Sequence, residues 1–166
     1  MPTTAPPIVL CLLVCDGVHT DPRSGKRFLL GTITEFQVQH EFGLPGEVWV
    51  HTEMTNGHGR TPIEIRISRL DPGDLLGEEV LRAGFELYFP EPRDVLYLAV
   101  RIATSFFLRS GEHWVTLLCE GVPLLERRLE AQAPPGELAR KLNFSASKRS
   151  PADTPTVGVS TTTSSM

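Results

Sequence analysis

Short apolar runs separated by turn-forming residues make up most of the chain before residue 130. The runs are rich in Val, Ile, Leu, Thr and aromatic residues, and clusters of Gly, Pro, Asn and Asp separate them at fairly regular intervals. From Ile63 to Ser68, isoleucine alternates with polar residues, as in a strand with one buried and one wet face. The pattern predicts an all-β protein, an antiparallel sandwich of about seven to nine strands.

Eight runs are predicted as strands. They cover residues 8–15, 27–37, 47–55, 63–68, 80–89, 95–104, 113–119 and 122–129. The first run is apolar on both faces, which places it near the middle of the core, and its short length favours a strand over a buried helix. A short helix over residues 74–82 is the alternative for the start of the fifth run.

Two turns with strong signals organise these strands. Asn56-Gly57-His58-Gly59 offers residues that tolerate positive φ, so we expect a hairpin that pairs the third and fourth runs. Glu120-Gly121 predicts a second hairpin, between the last two runs.

The amino-acid composition changes after the last strand. Residues 137–142 have helical composition but allow two turns at most. From residue 145 onward about half of the residues are Ser or Thr, and few large apolar residues remain to offset the entropy of ordering. We therefore expect a flexible N-terminus over residues 1–7, one sandwich domain over residues 8–143 and a disordered Ser/Thr-rich tail over residues 144–166.

Charge and length exclude several classes of protein. The 166 residues carry a net charge of -4, and clustered Lys and Arg of the kind that bind phosphate backbones or anionic lipid are lacking. No run reaches the ~20 apolar residues of a transmembrane helix, and no Lys or Arg precedes the first apolar run as in a secretory signal. We expect neither nucleic acid nor membrane as a partner, and a cytoplasmic location.

Cysteine usage agrees with a reducing compartment. The chain has three cysteines, an odd number, and Cys11 and Cys15 lie on one predicted strand, about 13 Å apart at ~3.3 Å per residue. This distance is too long for a disulfide and poor for a shared zinc ion. We expect reduced core cysteines, with no metal site and no cofactor.

Two stretches carry a resemblance to known proteins. The segments 9–17 and 25–32 contain a Cys-Asp strand end, a loop, a Gly-Lys pair and a strand that passes through a glycine. They resemble a group of small uncharacterised bacterial β-sandwich proteins. Segments 106–114 and 120–124 are similar to the final hairpin of many immunoglobulin-like bacterial domains. The resemblance implies an immunoglobulin-like sandwich and brings no activity with it.

Catalytic motifs are missing from the sequence. No nucleophile elbow, phosphate-binding loop, zinc-protease pair or dinucleotide fingerprint occurs. Ser110 with His113, and Cys119 with any histidine, are the only nucleophile and base pairs to consider, and neither belongs to a motif.

The predicted interaction surface has two parts. Trp49 and His51 lie on the less apolar face of the third run, where an aromatic ring beside a polar group is typical of a recognition surface, although a second buried layer would explain them equally well. Asp16, His19 and Asp21 belong to a predicted loop at the end of the sandwich, where a hydrogen-bonded turn is favoured over a Ca²⁺ site.

These observations favour a non-catalytic binding or accessory module that presents loops or a sheet edge to a protein partner. One alternative is a metal- or small-ligand-dependent enzyme that uses the loop from Asp16 to Asp21. The other is a structural subunit that adds its edge strands to a larger assembly.

Overall fold

Ten β-strands form two five-stranded sheets in a computed structural model, which describes residues 5–37, 48–71, 77–103, 110–132 and 159–164. The strands are β1 (Ile8–Thr20), β2 (Arg27–Thr32), β3 (Glu35–Gln37), β4 (Val48–Thr55), β5 (Gly59–Leu70), β6 (Glu78–Phe89), β7 (Val95–Ile102), β8 (Gly111–Cys119), β9 (Val122–Gln132) and β10 (Val159–Ser164). Within these ranges there is no helix that could cross a membrane. The predicted all-β sandwich is confirmed.

The two sheets have the strand order of an immunoglobulin-like domain. The first sheet runs β10-β7-β4-β1-β2 and the second runs β3-β9-β8-β5-β6. Neighbouring strands are antiparallel, except that β3 runs parallel to β9. The order places β1, β4 and β7 side by side in one sheet and β5, β8 and β9 in the other, as strands A, B, E and C, F, G lie in immunoglobulin-like domains.

The core lies between the sheets and is built from alternate residues of both. Side chains that are at most 2% exposed come from β1, β4, β5, β6, β7, β8 and β9. They include Val14, Val50, Met54, Ile63, Ile65, Ile67, Leu98, Val100, Val115, Leu117 and Leu129. Because successive side chains of a strand point to opposite faces, the alternation in the sequence becomes this single apolar layer.

The turn at residues 56–59 is not a hairpin, which corrects the sequence prediction. β4 pairs with β1 and β7, whereas β5 pairs with β6 and β8, so these residues carry the chain from one sheet to the other. Asn56 and Gly59 have φ angles of 62° and 59° and reverse the chain direction. Turn residues specify a reversal, but they do not specify which sheet receives the next strand.

The hairpin at Glu120-Gly121 is confirmed. Both residues have positive φ, at 50° and 79°, and Cys119 pairs with Val122 across the turn. Two consecutive positive-φ residues match the twist of the flanking strands.

Other strand bounds differ from the sequence prediction. The second run is two strands, since β2 ends at Thr32 and β3 joins the other sheet. β6 begins at Glu78, so the helix considered for residues 74–82 is not formed there, and residues 72–76 lie outside the described part. The predicted short helix at residues 137–142 also lies outside the described residues.

One strand lies within the segment that was expected to be disordered. Val159–Ser164 forms β10 and pairs antiparallel with β7, from Val159 opposite Val100 to Ser164 opposite Val95. Thr and Val favour strands because their branched side chains suit a pleated surface, and β7 supplies a partner edge. The other residues of the predicted tail lie outside the described ranges.

Candidate functional site

The hairpin of β1 and β2 folds back over the outer face of the first sheet. β1 pairs with β4 only as far as Cys15, and its remaining residues pair with β2. The Arg27 guanidinium carbon nevertheless lies 4.0 Å from the ring centroid of Tyr97 on β7. In a flat sheet β2 would lie three strands from β7, about 14 Å at ~4.8 Å per strand, beyond the reach of an arginine. We call residues 16–32 the flap.

The bend of the flap depends on one glycine. Gly31 has a φ of 55° and lies beside Asp16, whose carboxylate occupies the place that a Cβ at Gly31 would take. The positive φ is the condition that favours glycine, because an L side chain is strained there. The predicted loop from Asp16 to Asp21 is therefore wrong over residues 16–20, which continue β1.

Asp21 begins the turn at the tip of the flap. Its carboxylate accepts hydrogen bonds from the Arg23 backbone amide at 3.0 Å and from the Ser24 hydroxyl. Both hydrogen bonds lower the pKa of the Asp21 carboxyl, and the bond from the Ser24 hydroxyl has the larger effect. The favoured interpretation, a hydrogen-bonded turn, describes the geometry at Asp21.

The outer side of the flap is apolar. Phe28 and Leu30 are 51% and 55% exposed and lie two residues apart, so they point the same way from β2. His19 pairs with Phe28 in the register, and the two rings lie 6.4 Å apart. His19 therefore belongs to an exposed apolar strip along β2.

The sheet face beneath the flap is not an open recognition surface. His51 is only 1% exposed and Trp49 is half-buried. His51 is therefore part of a second buried layer, the alternative considered from the sequence. The imidazole of His51 stacks with the Tyr97 ring at a centroid distance of 6.4 Å.

A β-bulge turns Cys11 toward His51. Val9 pairs with Met54, but Cys11 pairs with Glu53, so Leu10 is the extra residue in β1. Without the bulge, Cys11 would share the inward face of Val9. With it, Cys11 lies on the outer face beside His51 and Glu53, and the Thr52 hydroxyl donates a hydrogen bond to the Cys11 carbonyl at 2.8 Å. Bulges that redirect a side chain are frequent at functional sites.

The three side chains form a compact donor cluster, which we call the Cys-His-Glu cluster. One donor atom each of Cys11, His51 and Glu53 lie within 4.8 Å of one another. His51 Nε2 is 3.3 Å from Glu53 Oε1. Among the described residues, His51 Nδ1 has no hydrogen-bond partner although it is buried. Such an unsatisfied buried atom is rare in native proteins.

The three cysteine thiols share a raised pKa. All three are unpaired. Burial, and then the Glu53 carboxylate, raises the pKa of the Cys11 thiol, and burial raises the pKa of Cys15 and Cys119. A raised pKa keeps a thiol protonated at neutral pH and disfavours it as a nucleophile.

Ser110 and His113, the serine and histidine pair considered from the sequence, differ in exposure. Ser110 is exposed, whereas His113 is 1% exposed and its Nδ1 lies 3.2 Å from the Gly111 carbonyl oxygen. Burial lowers the pKa of His113.

Comparison with known proteins does not identify a family. No protein-family model matches the chain, and no curated protein matches it. The resemblance to uncharacterised bacterial sandwich proteins stays a prediction.

Replacement of Thr52 by valine tests the bulge. The Cys11 carbonyl would lose its hydroxyl donor in a buried position, so we expect the free energy of unfolding to fall by about 1–3 kcal/mol. Thr116→Val is the matched control. The Thr116 hydroxyl donates to the carboxylate of Glu126, which is exposed and stays hydrated when that donor is removed. Urea unfolding measures both variants, and equal losses would contradict a special role for Thr52.

Proposed function

We propose that this protein is a non-catalytic binding module that accepts an extended segment of a protein partner along β2. The observation that carries the proposal is the edge position of β2 together with the exposed Phe28 and Leu30. An edge strand presents unpaired backbone groups to a partner strand, and apolar side chains beside it give specificity.

The other long edge strand, β6, carries exposed charged side chains. β6 exposes Glu79, Arg82 and Glu86, and these form ion pairs such as Arg82 with Glu79 at 2.7 Å and Arg60 with Glu86 at 2.8 Å. Charged residues on an edge strand are a common protection against pairing with other chains. β2 has no charged residue between Phe28 and Thr32, so it lacks this protection.

The remaining edges suit a partner less well. β3 is three residues long, and the six residues of β10 include a single large apolar one, Val159. β2 places two exposed apolar side chains on a six-residue strand. An extended segment with apolar residues at alternate positions would match that spacing.

Charge and cysteine state support the rest of the proposal. Several arginines of the described residues are paired with carboxylates, for example Arg69 with Glu78 at 2.7 Å and Arg128 with Glu112 at 2.9 Å, which argues against a nucleic-acid surface. The free thiols fit a reducing compartment. We therefore propose a cytoplasmic protein with a protein partner.

Capture from native lysate with Leu30→Lys tests this function. A lysine in the middle of β2 opposes strand addition, so we expect binding of the partner to weaken by about 10-fold or more, about 1.4 kcal/mol. Tyr88→Lys is the matched control, since Tyr88 is 63% exposed on the other edge, β6.

The supporting result is a protein retained by the wild type and by Tyr88→Lys and depleted on Leu30→Lys, as measured by quantitative mass spectrometry. An identical set of captured proteins on all three baits would reject β2 as the docking strand. Both substitutions are at exposed positions, so their unfolding free energies should stay within about 0.5 kcal/mol of the wild type.

A further inference from the structure

We propose that the Cys-His-Glu cluster binds a divalent transition-metal ion, with Zn²⁺ as the preferred metal. The ligands are the Cys11 thiolate, one ring nitrogen of His51 and one carboxylate oxygen of Glu53. The ligands lie on β1 and β4, whereas the proposed docking strand is β2, and each proposal is tested by its own variants.

The spacing of the donor atoms fits a metal ion. Tetrahedral Zn²⁺ has bonds of about 2.0–2.3 Å, which places its donors about 3.3–3.8 Å apart. The distance from His51 Nε2 to Glu53 Oε1 is 3.3 Å, and all three donors lie within 4.8 Å of one another. Small side-chain movements would complete the geometry.

The backbone brings these side chains together by two independent devices. His51 and Glu53 are two residues apart on β4 and share its outer face. The bulge at Leu10 then places Cys11 directly opposite Glu53. A regular strand would have turned Cys11 into the core, so the bulge assembles the cluster.

The chemistry of the donors selects the metal. Thiolate, imidazole and carboxylate together suit Zn²⁺ better than Mg²⁺ or Ca²⁺, which prefer oxygen alone. The two negative ligands balance the charge of a divalent ion, so a half-buried site carries no net charge. Three protein ligands leave a fourth position for water or another ligand, as in open zinc sites.

Burial and access also agree with this role. The His51 side chain is only 2% exposed, so packing holds its imidazole beside Cys11 and Glu53. The Glu53 side chain is 34% exposed, which gives an ion a path from solvent. When the metal binds, the Cys11 thiol releases its proton to solvent and a sulfur–metal bond forms.

Cobalt titration of the metal-free full chain tests the site. We expect one equivalent of Co²⁺ to bind with thiolate-to-cobalt charge-transfer absorption in the near ultraviolet, and one equivalent of Zn²⁺ to remove that absorption. Cys11→Ser should abolish the band and weaken Zn²⁺ binding by more than about 100-fold, since loss of an outer-shell partner alone costs about 10- to 100-fold. Cys119→Ser changes a buried cysteine in the second sheet, so this variant should keep both the absorption band and the Zn²⁺ affinity of the wild type.

Glu53→Gln is the second variant, because it keeps the shape of a partly exposed side chain and removes only its charge. It should remain folded and weaken Zn²⁺ binding at least 10-fold, on the order of the loss seen for outer-shell changes. Absence of one-to-one binding to the folded wild type would overturn the proposal. A charge-transfer band that persists in Cys11→Ser, or unchanged Zn²⁺ affinity in Glu53→Gln, would overturn it as well.

Discussion

Replacement of Leu98 by alanine is expected to lower the free energy of unfolding by about 2–5 kcal/mol. Leu98 is 0% exposed on β7, in the layer between the two sheets. The substitution removes buried methyl groups and leaves a cavity that close-packed neighbours fill only in part. Urea or guanidinium unfolding monitored by circular dichroism gives the loss directly.

Leu125→Ala provides the comparison for this loss. Leu125 is 39% exposed on β9, so the same change of side chain should cost within about 0.5 kcal/mol. Equal losses at the two positions would mean that the apolar layer described between the sheets is not the core.

Gly57→Ala is expected to destabilise the protein by about 1–3 kcal/mol, the usual cost of overpacking a core. Gly57 is buried, and a Cβ there would overlap ring atoms of Phe89, which is itself 1% exposed. Phe89 ends β6 in the core, so its ring has little room to move. Thermal or denaturant unfolding measures the effect.

Gly84→Ala separates this packing effect from the general effect of adding a methyl group. A Cβ at Gly84 has no heavy atom within 4 Å, and Gly84 is exposed on β6. Its replacement should be neutral or stabilise the protein by up to about 1 kcal/mol, because alanine restricts the unfolded chain. A Gly57→Ala variant as stable as the wild type would contradict the packing of Gly57 against Phe89.

Most of the strands were predictable because each is a local run of apolar or alternating residues, whereas β10 lies in a segment that was expected to be disordered. Glu120-Gly121 located a true hairpin. The turn at Asn56 shows the limit of local signals. It reverses the chain, but β5 lies in the opposite sheet, where its isoleucines complete the apolar layer. The sheet that receives β5 is therefore set by contacts with residues distant in the sequence.

The candidate site was less predictable for a related reason. His51 and Glu53 are a visible pair in the sequence, spaced for one strand face. Cys11 joins them only through the register of β1 against β4 and the bulge at Leu10. The residues around Cys11 are all apolar, so the sequence does not show which of them face outward, and it predicts neither the register nor the bulge. The sequence therefore predicted Cys11 as a core cysteine.

The flap explains a second group of differences. Residues 16–20 continue β1 because they pair with β2, and Gly31 permits the bend that folds both strands over the sheet. A loop was expected because Asp16 and Gly17 are turn-forming residues. On this side of the first sheet His51 is buried and Phe28 is exposed, a difference that the alternation along a single strand does not give.

Amide hydrogen exchange of the full chain with its captured partner tests strand addition at β2 most directly. The account predicts new protection of backbone amides within residues 27–32 on binding, with the amides of β6 unchanged. A partner strand would take up those hydrogen-bonding groups of β2 that pair with no other described strand. Protection that appears elsewhere while β2 exchanges as in the free protein would contradict it.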